Sequence, residues 1–349
     1  MVTSKPVDPA NIERELAALW LAQAQSEKAS TRTRLLNLLV FAPDPAAGEA
    51  AQKIIGELLA REPFRAILMI ADERGEGMDA WVSLTETGGE QITLTAKGPA
   101  ILDLPGTVLS LLLTDVPVGL WWQSGDPFTH PIFEHLIRAV DRVIVDSLTF
   151  SDSPAVLADI AQALADSHFP AVIVDLGWSR LSPWRTLTAQ IFDPPALRPH
   201  LAQIERARVT YAEGPPILAW LFGSWLASRL DWKPTHQTTD LMRFVAGQTI
   251  EFVAAPAGKD THPGYFLGLD LLTREGATFE ITRLPHACAA TRIAFGETRT
   301  EHIAPVRYES LADWLGRELN RPNRTPLFEA AVQLLTRARP APTLPQGPM

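Results

Sequence analysis

The chain has 349 residues, 46% of them hydrophobic, with 31 basic against 40 acidic side chains and a formal net charge of −9. That length suits two domains, each with a sizeable core, and an acidic chain of pI about 5.4 repels phosphate backbones, which argues against general nucleic-acid binding. A single cysteine, Cys288, excludes an internal disulfide and a cysteine-based zinc site.

The N-terminal sequence MVTSKPVDPANIERELAALW has no apolar stretch long enough for a secretory leader. No run reaches the roughly 18 apolar residues of a membrane span, so a cytoplasmic location is expected. Ile12, Leu16, Leu19 and Trp20 recur at helical spacing and predict an amphipathic helix within an N-terminal arm, residues 1–30. RLLNLLVFA and RAILMIA read as buried strands, with a helical period between them through Ala50, Ile54 and Leu58. Strand, helix and strand with continuous apolar runs make a βαβ unit. AWVSLTE and EQITLTAKG alternate and flank Gly88-Gly89, which predicts a hairpin. PAILDLPGTVLSLLL reads as helical on either side of Pro105. VGLWW, RVIVDS and AVIVDL are further core strands, with a helix predicted between the last two. Residues 31–176 are thus expected to form an α/β domain with a mostly parallel sheet flanked by helices.

A smaller α+β domain is expected over 177–338. WSRLSPWRTLTAQIF predicts a helix from about Pro183, and PPILAWLFGSWLASRLDW a strongly apolar one. RFVAGQTIEFVAA, GYFLGLDLLTREGATFEITRL and ATRIAFGETRTEHIAPV read as strands of antiparallel character, in a sheet of about four strands. Helices over Leu311–Leu319 and Pro326–Arg337 are expected to close this domain. The Pro-rich residues 339–349 read as a disordered tail.

Motifs for chemistry are nearly missing. There is no G-x-G-x-x-G after a strand, no Walker lysine loop, no G-x-S-x-G and no H-E-x-x-H. FAPDPAAGEA puts two prolines where a dinucleotide fold places close-approach glycines, leaving one glycine and a helix N-terminus able to hold an anion. His130 and His135 flank Glu134 at a spacing that does not align the histidines on one helical turn, so a solvated loop followed by a helix outweighs a metal site. Asp146 and Asp175 end apolar strands, where ligand carboxylates often sit, though capping the following helix or pairing with a neighbouring Arg is the plainer reading. His286 beside Cys288 lacks an orienting partner for nucleophilic catalysis, and a buried inert thiol is the plainer reading.

WSRLSPWR, Trp178 to Arg185, carries two tryptophans and two arginines within eight residues. These types dominate binding hot spots, since they supply area or planar bidentate bonding at little rotamer cost. The plainer alternative is that Trp178 and Trp184 cement a contact between domains while the arginines pair with nearby acids.

LLLTDVPVGLWW, then RVIVDS, DLGWSRLSPWRTLTAQIFDPP, GSWLASRLDW and ELNRPNRTPLFEAAVQLL together resemble the OpcA family of glucose-6-phosphate dehydrogenase assembly proteins, over residues 35 to 337. Each motif is only moderately specific, and the match lies in their order and spacing. The resemblance implies a non-enzymatic protein without cofactor or metal, an allosteric activator that binds glucose-6-phosphate dehydrogenase and favours its active oligomer in the oxidative pentose phosphate pathway. Trp121, Trp122, Trp178, Arg180, Trp184 and Arg185 are then the residues expected to contact that partner or support the contact. Redox sensing through cysteines beside the EQI strand, a property of cyanobacterial relatives, meets a departure: Gly88-Gly89-Glu90-Gln91-Ile92 has none. The residues by themselves leave a second reading open, an enzyme or sensor taking a small phosphorylated ligand at the strand ends near Asp146 and Asp175.

Overall fold

The computed structural model describes residues 4–25, 36–123, 125–150, 153–238, 240–258, 262, 264–306, 309–321 and 325–338. The expected tail, 339–349, and part of the N-terminal arm lie outside the described residues. In chain order the elements are β1 (Lys5–Val7), α1 (Ile12–Gln25), β2 (Asn37–Ala42), α2 (Pro45–Leu59), β3 (Arg65–Asp72), β4 (Gly77–Leu84), β5 (Glu90–Lys97), α3 (Leu104–Ser110), β6 (Val118–Trp122), α4 (Pro131–Leu136), β7 (Arg142–Val145), α5 (Ser153–Ala165), β8 (Val172–Asp175), α6 (Leu176–Arg180) and α7 (Ser182–Ile191). They continue with β9 (Ile204–Tyr211), α8 (Ile217–Arg229), β10 (Lys233–Gln237), β11 (Leu241–Val245), β12 (Thr249–Pro256), β13 (Phe266–Thr273), β14 (Thr278–Leu284), β15 (Cys288–Phe295), β16 (Thr298–Pro305), α9 (Leu311–Leu319) and α10 (Pro326–Ala338).

The first compact unit holds an eight-stranded sheet in the order β1-β4-β5-β3-β2-β6-β7-β8. The five pairings that link β5, β3, β2, β6, β7 and β8 are parallel, and β4 and β1 add an antiparallel edge. β2 is NLLVFA with every residue buried, as a parallel strand covered on both faces requires. The Gly88-Gly89 hairpin is present, Gly88 taking a φ of +88° that favours glycine. A 3-10 turn over Gly98–Asp103 precedes Pro105 and α3 carries it in its first turn, where its missing N–H costs nothing, so the segment is helical on either side of that proline. One core cluster joins Leu38, Val40 and Leu68 of the sheet to Ile55 and Leu58 of α2 and to Trp314 and Leu315 of α9.

That last contact corrects the expected domain layout. Among the described residues, the compact units are 4–150 with 166–176 and 309–321, and 153–165 with 177–306 and 325–338. α9 therefore belongs to the first unit and does not close the second, while α5 belongs to the second and packs with α10. Each is amphipathic, and a sequence pattern names the face to be buried without naming the face that receives it.

The second unit also holds eight strands, in the order β10-β11-β12-β9-β13-β14-β15-β16, where about four were expected. All pairings are antiparallel except β9 with β12. The missed central strand, β9, reads IERARVTY. Ala207, Val209 and Tyr211 are buried while Arg206 and Arg208 on the other face are exposed, an alternation already present in the sequence RARVTY. α8 is buried from Ile217 through Ala227. It lies so near the sheet that a Cβ on Gly223 would come within 2.6 Å of Phe252 Cζ.

Candidate functional site

The two tryptophans that end β6 point to opposite faces of the first sheet, as consecutive strand residues must. Trp121 joins the core cluster with Val40 and Ile144. Trp122 stacks on Phe41, its partner across the β2–β6 ladder, with centroids 4.1 Å apart and planes at 18°. His130 leans on both rings at 4.9 and 5.0 Å, and Phe133 meets Trp122 edge-on at 5.7 Å. Trp121 and Trp122 are 3% and 2% exposed, so neither presents a ring to solvent. Burial holds the His130 imidazole below its usual pKa, and its Nδ1 accepts the Ile132 N–H at 3.3 Å as the cap of α4.

The acids at the strand ends act on the backbone. Asp175 is 1% exposed, and its Oδ1 accepts the Ser147 N–H at 2.8 Å. Asp146 accepts the Leu148 N–H at 3.3 Å through Oδ1, and its carbonyl takes the Thr149 hydroxyl at 2.8 Å. His135 Nδ1 bonds the carbonyl of Pro131 at 2.8 Å, which makes it a helix-surface group beside His130's cap. Among the described residues no three His, Cys, Asp or Glu side chains come together to hold a metal ion. A hollow of about 770 Å³ opens by Val118, Arg142 and Val172, at the N-terminal ends of β6, β7 and β8. Ligands of such sheets bind at the opposite ends.

In the second unit, WSRLSPWR forms the joint between α6 and α7. The Arg185 guanidinium lies 3.7 Å above the Trp178 ring, and its Nη1 donates to the Trp178 carbonyl at 2.8 Å. Trp178 also meets Phe328 of α10 at 5.6 Å, while Trp184 meets Phe266 of β13 at 4.8 Å. Arg180 sits 5.7 Å from the Tyr265 ring. Trp178 and Trp184 are 2% and 6% exposed, and both arginines are half-buried. Cys288 Sγ faces the His286 carbonyl at 3.5 Å in the β14–β15 turn, where His286 and Ala287 both have positive φ.

The described geometry gathers the six singled-out residues into two packed groups, one in each unit. It also contains a cluster that the sequence reading passed over. Arg65, 2% exposed, heads β3 and pairs with Glu90, 0% exposed, which heads β5. The signal was available: RAILMIA and EQITLTA are apolar runs headed by opposite charges.

Residues 55–162 match the family described as the glucose-6-phosphate dehydrogenase subunit N-terminal domain, and residues 171–332 match its C-terminal domain. Three curated relatives carry the name OxPP cycle protein OpcA. The chain belongs to the OpcA family. The Synechocystis relative is 35% identical over 145 residues, 42% of this chain and 30% of that one. The Synechococcus elongatus relative is 30% identical over 270 residues, 70% of this chain and 58% of that one. The aligned region thus spans between about a third and three fifths of the OpcA relatives' length.

Among solved structures, the 3-ketoreductase KijD10 of Actinomadura kijaniata aligns with TM-score 0.49 and 12% identity, covering 88% of this chain and 96% of that one. Glucose-6-phosphate 1-dehydrogenase of Mycobacterium avium aligns with TM-score 0.48 and 11% identity, covering 86% and 91%.

Proposed function

We propose that this chain is a non-catalytic assembly factor and allosteric activator in the oxidative pentose phosphate pathway, which binds glucose-6-phosphate dehydrogenase and favours its active oligomer. The observation that carries the reading is the match, in chain order, to both halves of a family described as a dehydrogenase subunit. The strand-end chemistry supports it: Asp146, Asp175 and His130 are engaged with backbone amides, as capping groups are. To act as an activator, the chain binds the active dehydrogenase state more tightly than the inactive one. A 5- to 150-fold shift needs roughly 1–3 kcal/mol of differential binding, which a few buried Trp or Arg contacts supply.

In this reading the four buried tryptophans, Trp121, Trp122, Trp178 and Trp184, are the rigid packing beneath the contact. The half-buried Arg180 and Arg185 are the side chains that reach a partner. Mixing the purified chain with its cognate dehydrogenase, and measuring substrate affinity and oligomer size, tests the reading. A larger active oligomer with tighter substrate binding is expected; no change in either ends it.

A further inference from the structure

In a doubly wound sheet a dinucleotide lies where the strand order reverses, its pyrophosphate on the turn and helix N-terminus after the first strand. The parallel strands of the first sheet run β5-β3-β2-β6-β7-β8. By order of appearance this is the 3-2-1-4-5-6 of dinucleotide-binding folds, so the reversal falls between β2 and β6. The topology asks for a dinucleotide; the residues there do not fit one.

Residues 43–48 read Pro-Asp-Pro-Ala-Ala-Gly, the spacing of G-x-G-x-x-G with proline at the first two glycine positions. The third glycine keeps its packing role. A Cβ on Gly48 would lie 2.5 Å from Ile70 Cδ1, so α2 sits close against β3. The first two glycines are the ones that make the tight turn and let the backbone approach a pyrophosphate. Pro43 and Pro45 have no N–H to give a phosphate oxygen, and their rings add bulk.

The helix end is engaged as well. Asp44 Oδ1 accepts the Ala47 N–H at 2.8 Å, and the Asp44 carbonyl accepts the Gly48 N–H at 3.0 Å. A pyrophosphate would meet a fixed carboxylate where free amides are needed. The strand ends are also tied together. The β2–β6 ladder runs on through the Gln123 N–H to the Phe41 carbonyl at 3.2 Å, and His130 covers the Phe41–Trp122 stack. Even Asp72, at the end of β3 where an acid takes the ribose hydroxyls, accepts from its own turn, the Arg74 N–H at 3.0 Å and Nε at 3.3 Å.

We propose that the proline-bearing turn, the Asp44 carboxylate and the Phe41–Trp122–His130 stack seal this crevice, so that the chain takes up neither NAD nor NADP. The seal is a property of the first unit and holds whether or not the chain docks on a dehydrogenase. Isothermal titration of the isolated chain with NADH, NADPH and 2′,5′-ADP tests it, with a dinucleotide-binding dehydrogenase as positive control. No saturable heat is expected up to about 1 mM ligand. Saturable one-to-one binding of any of the three overturns the proposal, 2′,5′-ADP included, since it would show the adenosine half of the site open. A folded triple variant, Pro43→Gly, Asp44→Ser and Pro45→Gly, is expected to bind NADPH at least 10-fold more tightly than the wild-type limit. No gain in that variant overturns the turn's part in the seal.

Discussion

Arg65 Nε lies 2.7 Å from Glu90 Oε2, and the two side chains are 2% and 0% exposed, an ion pair closed off from water at the heads of two adjacent parallel strands. The Arg65 guanidinium also donates to the Leu111 carbonyl at 2.6 Å and pairs with Glu13 of α1. Trp20 Nε1, on the same helix, donates to Glu90 Oε1 at 2.5 Å. The N-terminal helix is thereby docked by polar bonds as well as by Ile12 and Leu16, each 1% exposed. Removing one partner leaves a buried charge and costs about 3–5 kcal/mol. Arg65→Met, which strands the Glu90 carboxylate, should therefore destabilise strongly in urea unfolding, while adding Glu90→Leu should recover most of the loss. A double variant that loses as much as the Arg65→Met and Glu90→Leu losses added together would show that the charges are not coupled.

His130 gives the fold an acid sensitivity. Burial lowers its pKa, so the folded state favours the neutral ring that caps Ile132 and meets Trp122 edge-on. The unfolded chain, with an ordinary imidazole pKa, then binds the proton more readily. This contribution is absent above the unfolded value. It becomes destabilising as pH falls through that value, and levels off below the lower, folded pKa. The gap in melting temperature between wild type and His130→Phe should shift in the variant's favour between pH 7 and pH 5.5. A constant gap would refute it.

Asp313 behaves in the opposite sense. The Ser310 hydroxyl and amide, and then Arg61, hold its carboxylate below the usual range. The hydroxyl and the amide each donate to Oδ2 at 2.8 Å, closing a capping box at the start of α9. The stabilisation is present above the unfolded pKa and is lost as pH falls through the folded one. Ser310→Ala should cost about 0.5–2 kcal/mol at pH 7, and less at pH 2.5, by chemical denaturation.

Gly223 faces the ring of Phe252, with three ring atoms within 2.7 Å of where a Cβ would stand. Phe252 is 0% exposed and has no room to retreat. Gly223→Ala gains helix propensity of about 1 kcal/mol, but overpacking of about 1–3 kcal/mol opposes it. The ring is rigid, so the clash should win. Phe252→Leu in the same chain should relieve it, which thermal unfolding of the two variants can check.

Arg185 should tolerate lysine poorly. Its planar group stacks at 3.7 Å on Trp178 while Nη1 bonds the Trp178 carbonyl, a combination an ammonium does not reproduce. Arg185→Lys should lose about 0.5–2 kcal/mol of stability. Arg180→Ala, which leaves that stack intact, should instead weaken dehydrogenase binding about 10-fold with little change in melting temperature. Unchanged affinity in Arg180→Ala would remove it from the contact.

The sequence by itself determined the first sheet's strands from β2 to β8 and the two tryptophans at a strand end, but not the three-residue edge strand β1. Continuous apolar runs such as NLLVFA leave few alternatives, and turn residues such as Gly88-Gly89 act through local backbone geometry. The ordered motifs from LLLTDVPVGLWW to ELNRPNRTPLFEAAVQLL also sufficed, taken together, to indicate the family. Tertiary structure alone decided which unit receives α5 and α9, because an amphipathic face specifies burial without specifying a partner. It alone put β9 between β12 and β13 at the centre of the second sheet, a place the alternation of RARVTY does not specify. It alone brought Phe41 onto Trp122, residues 81 positions apart in the chain, since that stack depends on β2 and β6 being neighbours in the sheet, a pairing set by long-range hydrogen bonding that no local pattern records.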